Sequence, residues 1–445
     1  MMKGIKSLFL KERLFIALSI IAFIFIIGYF YSVFYQVGII LFFCLTGIFL
    51  IDLILLYNTK NGVEAYRKTT QDKLSNGDEN PIQIIITNNF NLTINFEVID
   101  ELPPQFQIRN FAFEITLPAY KTKKLSYSLR PVTRGEYCFG FINVFAYSII
   151  GLIKRRYKLD KPANLAVYPG FIQMRKYELM AISNHLQETG IKKIRRIGHN
   201  LEFEQIKDYV QGDDYRTINW KATARKSQLM VNTYQDEKSQ QVYSIIDKGR
   251  VMKMPFNGMS LLDYAINASL AISNIAIKKS DKAGLITFQH KIETIIPASK
   301  RSGQMNLILQ ALYNQSTTFK ESDFHSLFAQ IQNKIKTRSL ILLYTNFESL
   351  SSLERQLPFL KRIGKKHVLV TIFFLNTEMN ELLESKPKTL EEVYMKTIAE
   401  KFAYEKKMVV KELKKHGIHA VLTSPEDLTI NSINKYLELK ARGLI

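Results

Sequence analysis

Two places in this 445-residue chain gather side chains whose types and spacing can do chemistry. The first is the run Glu202-Phe-Glu-Gln-Ile-Lys-Asp-Tyr-Val-Gln-Gly-Asp-Asp-Tyr-Arg-Thr-Ile-Asn-Trp-Lys-Ala-Thr-Ala-Arg225, dense in both charges and holding the single tryptophan. Its pattern predicts a helix over 202–210 that Gly212 ends in left-handed backbone, with Asp213 or Asp214 capping the next turn. Arg216, Lys221 and Arg225 can then pair with Glu202, Glu204, Asp208 or Asp213. Such a segment reads as a salt-bridged elbow between domains or, since aromatic and arginine anchors dominate interface energies, as a docking surface. The second place is Asp247-Lys-Gly-Arg-Val251, which follows the apolar run 242–246, together with Thr345-Asn346, which follows a later one. Ligands of open α/β sheets collect outside the carboxyl ends of the strands, so these two loops are expected on one rim.

Other chemistries find no support. No Gly-x-x-x-x-Gly-Lys-Ser/Thr loop or Gly-x-Gly-x-x-Gly turn is present for nucleotides, and no Gly-x-Ser-x-Gly elbow for a serine nucleophile. His416 and His419 flank Gly417 without a carboxylate or cysteine at ligand spacing, which reads as a solvated turn. The expectation is a non-enzymatic protein without a cofactor. Cys44 and Cys138 are the only cysteines, and Cys44 lies in an apolar run, so no structural disulfide is implied and a reducing compartment fits.

The elements that must position these residues fall into four blocks. Residues 1–60 read as a membrane anchor. From Leu14 to Ile51 there is no Asp, Glu, Lys or Arg, and two apolar halves, about 14–34 and 37–57, each supply the ~20 residues that cross a hydrocarbon core. The weakly polar Tyr31-Ser-Val-Phe-Tyr-Gln-Val-Gly38 reads as the turn between two transmembrane helices. Lys3, Lys6, Lys11 and Arg13 precede the first half, Lys60, Arg67 and Lys68 follow the second, and the turn has no basic residue. The positive-inside rule then puts both termini and the soluble region in the cytoplasm, at the inner membrane. Residues 61–170 carry short β-favouring runs split by turn clusters, and predict a β-sandwich-like domain. Residues 171–240 form a linker holding the charge-dense segment. Residues 241–445 alternate apolar strands (242–246, 283–288, 340–344, 368–375, 418–422) with helical patterns (261–278, 350–363, 390–415), which predicts a mostly parallel α/β sheet covered on both faces.

Sixty-one Lys and Arg against 40 Asp and Glu give a formal charge of +21, which favours an anionic partner. The clusters Lys154-Arg-Arg156 and Lys192-Lys-Ile-Arg-Arg196 read as solvated faces first. In a tethered protein they touch anionic lipid at about 1 kcal/mol per residue, ahead of nucleic acid.

The segment 202–225 resembles the signature of the bacterial domain-of-unknown-function 58 family, in which such a block precedes a von Willebrand factor A-like, Rossmann-like domain. Glu202, Phe203, Asp208, Tyr209, Gly212, Asp213, Asp214, Arg216, Trp220, Lys221 and Arg225 carry the match, while Lys207 and Asn219 depart from it. The resemblance implies a membrane-anchored interaction module whose partners are a MoxR-type AAA+ ATPase and its client protein. It also implies a comparison with the magnesium loop Asp-x-Ser-x-Ser of von Willebrand A-like domains. Asp247 keeps the carboxylate, but Gly249 and Val251 replace the serines, and Asn346 stands where a later aspartate would be. No metal is expected there, and Asp247 is expected to accept loop amides or pair with Lys248 or Arg250. The competing readings are a metal-dependent enzyme or adhesion domain using Asp247, and a nucleic-acid binder at the membrane.

Overall fold

A strand with one face on a core alternates apolar and polar residues, and strands of the first half of the chain do so, as in Ile94-Asn-Phe-Glu-Val98. The computed structural model describes residues 7–69, 72–109, 111–182, 202–235, 239–318, 320–377 and 389–445, with Met379, Leu383 and Pro387. The chain divides into two units, Met1–Val167 and Tyr168–Ile445.

In the first unit, strand β1 (Leu8–Leu10) leads into helices α1 (Glu12–Gly28) and α2 (Ser32–Tyr57). Ten strands follow: β2 (Val63–Thr69), β3 (Lys73–Ser75), β4 (Asn80–Asn88), β5 (Ile94–Asp100), β6 (Ala112–Leu117), β7 (Thr122–Leu129), β8 (Gly135–Phe139), β9 (Ile142–Tyr147), β10 (Ile153–Leu159) and β11 (Ala163–Tyr168). They form sheets in the orders β1-β10-β9-β5-β6, β2-β4-β7 and β3-β11-β8. Ile84 and Ile86 of β4 meet Phe96 and Val98 of β5 and Val144 of β9 in one core, as expected of a β-rich, sandwich-like region.

The two-span expectation needs correction. Among the described residues one helix, Ser32–Tyr57, is long and apolar enough to cross a membrane. The preceding helix has 17 residues, roughly 25 Å at ~1.5 Å per residue, short of a full hydrocarbon core. The turn is also not at 31–38: it falls at Tyr29–Tyr31, and Ser32 already opens the second helix. Close approach of the helices sets this position, since a Cβ on Gly28 would lie 2.8 Å from the Tyr35 backbone nitrogen.

Both ends of this hairpin are tied to the β-rich core. The β1 strand pairs antiparallel with β10, Leu8 opposite Arg155. Asp52, fully buried near the end of α2, accepts hydrogen bonds from the Ser148 hydroxyl and from the backbone N–H groups of Leu152 (2.9 Å) and Ile153 (3.2 Å). The Arg155 guanidinium donates to the carbonyl of Leu56, in the last turn of the helix, where carbonyls lack intrahelical partners, and to that of Thr59 just beyond it. Its neighbours in the basic cluster are engaged too: Lys154 pairs with Glu97, and Arg156 donates to Asn143 Oδ1. The second cluster, Lys192–Arg196, lies outside the described residues.

The second unit begins with α3 (Phe171–Ile182), then β12 (Glu202–Asp208), α4 (Trp220–Lys226) and β13 (Met230–Gln235). Its main sheet starts at β14 (Gln241–Asp247). A small hairpin of β15 (Pro255–Phe256) and β16 (Met259–Ser260) precedes α5 (Leu261–Lys278), β17 (Lys282–Phe288), β18 (Ile292–Ser299), α6 (Gln304–Tyr313) and α7 (Phe324–Lys334). β19 (Leu340–Tyr344), α8 (Leu350–Lys366), β20 (Val368–Phe374), α9 (Leu390–Lys415), β21 (His419–Thr423) and α10 (Leu428–Ala441) complete it. The strand order is β18-β17-β14-β19-β20-β21, parallel except for the edge strand β18. Apolar residues of α5, α6 and α10 pack on one face, and those of α7, α8 and α9 on the other. The order reverses beside β14, the position where sheets of this kind open a crevice at the strand ends.

Candidate functional site

The C-terminal ends of β14 and β19 place Asp247 and Thr345 side by side. Asp247 is 1% exposed. It accepts from the Gly249 N–H at 2.8 Å, from Thr345 Oγ1 at 2.7 Å and from the Ser322 hydroxyl on the loop before α7. Burial raises its pKa above the ordinary carboxylate value, and the three hydrogen bonds oppose that rise. The neighbouring cations turn elsewhere, Lys248 to Glu293 and Arg250 to Glu321. Glycine is needed at 249, where a Cβ would stand 2.1 Å from Ser322 Oγ. The Val251 side chain borders the same crevice as Asp247, Ser322 and Asn346.

Asn346 is held by a cation from the opposite direction. Its Oδ1 accepts from Lys406 Nζ at 2.6 Å, and Lys406 is 9% exposed. Burial pushes this ammonium down to about 8. Sequence reasoning missed Ser322 and Lys406. Ser322 lies 75 residues from the carboxylate it touches, beyond any local spacing. Lys406 did carry a signal: with Ala399, Val409 and Leu413 it occupies the buried stripe of α9, a core position taken by a charge.

A divalent ion needs several oxygen donors free to turn toward it. Here both Asp247 oxygens already accept from the protein, and the Asn346 oxygen faces an ammonium. The residues present do not fit such an ion.

The signature segment folds differently from the helix expected over 202–210. Glu202–Asp208 is a strand, paired antiparallel with Met230–Gln235, Phe203 opposite Tyr234 and Asp208 opposite Met230. The β-favouring Val231-Asn-Thr-Tyr234 offers a ladder partner, and a tertiary partner overrides local helix preference. Glu202 and Phe203 join the pairing through their backbones, and the Tyr209 N–H donates to the Leu229 carbonyl. Gly212 has φ of 113°. Asp213 accepts from Lys207 Nζ at 2.9 Å and from the Val210 N–H, and both contacts hold its pKa below the ordinary value, Lys207 first. Asp214 accepts from the Arg216 N–H. Asn219 caps α4 by accepting from the Ala222 N–H at 3.0 Å, work that Asn and Asp do about equally well. These contacts close within the segment itself and leave its large side chains outside: Trp220 is 70% exposed, Tyr215 lies open, and the Arg216 guanidinium sits 5.7 Å from the Tyr215 ring. Asp208, Lys221 and Arg225 are exposed as well.

Residues 205–397, from within β12 into α9, match the family model described as "Protein of unknown function DUF58". This region is similar to that family. An uncharacterized protein, YeaD of Bacillus subtilis (strain 168), is 26% identical over 257 residues, 56% of this chain and 61% of YeaD. The chain thus spans less than two thirds of that relative's length. Among solved structures, the conserved hypothetical protein BatB of Bacteroides thetaiotaomicron aligns with a TM-score of 0.32 at 13% identity, over 46% of this chain and 99% of BatB. A von Willebrand factor type A protein of Catenulispora acidiphila aligns with a TM-score of 0.26 at 10% identity, over 47% of this chain and 43% of its own. The DUF58 match takes in the strands carrying Asp247 and Thr345 and the second strand of the signature pair.

Proposed function

We propose that this chain is a membrane-anchored cytoplasmic interaction module that works with a MoxR-type AAA+ ATPase in the assembly or maturation of other proteins. The observation that carries this reading is the outward display of Trp220 on a rigid mount. The capping Asn219, the Lys207–Asp213 pair and the β12–β13 ladder hold α4 in place, while the indole stays in water. An exposed tryptophan on the same short segment as an exposed arginine and tyrosine has the composition of a binding hot spot. Affinity capture from native membranes should recover the ATPase with the wild-type chain, and about tenfold less of it with Trp220→Ala or Arg216→Ala at an unchanged unfolding midpoint. Undiminished capture by both variants would overturn the assignment.

The anchor in this reading is the hairpin α1–α2, whose shorter first helix inserts with the second, and the basic residues flanking it set the orientation. Exposed Cys138 in the β-rich unit reports on this. A membrane-impermeant maleimide should label Cys138 in inverted vesicles and leave it unmodified in right-side-out ones. The reverse pattern would place the soluble region on the other side.

A further inference from the structure

We propose that Lys406 is the built-in cation of a groove that docks a carboxylate-bearing apolar segment of a partner protein. This deepens the interaction reading above and rests on it. The groove has a volume of about 260 Å³ and is walled by Met254, Phe256, Leu261, Phe374 and Phe402, with Lys406 reaching into it. The lining is apolar apart from a few groups, the composition of a ligand site.

The ammonium is the anomaly. It carries three N–H donors, of which one goes to Asn346 Oδ1 at 2.6 Å. The face of Phe373 lies 5.8 Å away. Among the described residues no carboxylate forms an ion pair with it; Glu348 borders the same groove and attracts it without reaching it. A charge removed from water without a partner is costly, and a carboxylate brought into the groove would relieve that cost while an apolar ligand alone would leave it. The same geometry explains the misfit to a divalent ion, because the protein's own cation already faces Asn346.

A protein segment suits the surroundings. From the groove, exposed Phe402, Ile398, Tyr394 and Leu390 continue along α9 at four-residue spacing. They make an apolar row about 18 Å long at ~1.5 Å per residue. Side chains of a peptide can interleave with such a row on an open helix face, whereas a single acyl chain would leave most of it wet.

The test is selection of a random heptapeptide display library on the full chain in nanodiscs. The expected winners carry one Asp or Glu flanked by Leu, Phe or Met. The best of them, synthesised, should bind Lys406→Met about thirty-fold more weakly or worse than wild type. Its Asn or Gln counterpart should bind both proteins equally weakly. Phe402→Asp, which keeps the lysine, should also abolish binding, so the result does not depend on one variant's folding. Winners without an acidic preference, or unchanged affinity for Lys406→Met, would overturn the proposal. So would saturable binding of decanoate with no peptide enriched, which would make the groove a fatty-acid site. Trp220→Ala should keep full peptide affinity, so failure here and failure of ATPase capture are separate outcomes.

Discussion

Asp52→Ala is expected to loosen the helical hairpin α1–α2 from the β-rich core, lowering the thermal midpoint of the first unit in detergent by about 10 °C. The carboxylate accepts from three groups around the start of β10, the Ser148 hydroxyl and the N–H groups of Leu152 and Ile153. Hydrogen bonds to a buried charge contribute about 1.5–3 kcal/mol each, and stripping the acceptor leaves its donors unpaired, for a loss on the order of 3–5 kcal/mol. In a unit of this size each kcal/mol moves the midpoint by roughly 2–4 °C. The β1–β10 pairing and the Arg155 bonds to Leu56 and Thr59 remain, so the hairpin stays attached at its other contacts. Asp52→Asn should fall between, since one amide oxygen still accepts while the amide NH2 meets donors. A shift within about 2 °C for Asp52→Ala would mean the clasp contributes little.

The contrast between what was readable and what was not follows range of interaction. Strands buried on both faces are apolar throughout, and the expected runs 340–344 and 368–375 match Leu340–Tyr344 and, to within a residue, Val368–Phe374. The helix expected over 390–415 begins at a capping box, Thr389 with Glu392, a local device written in adjacent residues. The signature failed because its strand is specified by Met230–Gln235, more than twenty positions away, while its own composition favours helix. The anchor turn failed for a related reason: weak polarity marked 31–38, but the contact of Gly28 with Tyr35 decides where the helices can meet. In the site, Asp247 and Asn346 were visible as strand-end residues. Their partners come from elsewhere in the chain, Ser322 from the loop before α7 and Lys406 from α9, and only the completed sheet brings them to the rim.

Removing Asp247 tests whether the rim is a sealed polar knot or a metal loop. Asp247→Ala leaves the Ser322 and Thr345 hydroxyls and the Gly249 N–H without their acceptor in a site 1% exposed. The expected cost is about 2–4 kcal/mol, the unpaired donors outweighing relief of a buried charge. Asp247→Asn keeps an oxygen for Gly249 and Ser322 and can donate to the Thr345 hydroxyl, so it should cost far less. Wild type and Asp247→Asn also separate in pH dependence. Because burial raises the native pKa of Asp247, the folded state holds this proton to higher pH than the unfolded state. Its contribution is therefore fully present below the ordinary carboxylate value and is lost as pH rises through the raised one. Urea midpoints at pH 4 and pH 7 should show this loss in the wild type and not in Asp247→Asn; equal slopes would contradict the burial argument. Mg²⁺ should leave the wild-type midpoint at pH 7 where it is. An ion bound to the native site would instead raise stability with concentration, and a saturable rise abolished by Asp247→Ala would establish the metal loop in place of the hydrogen-bonded knot.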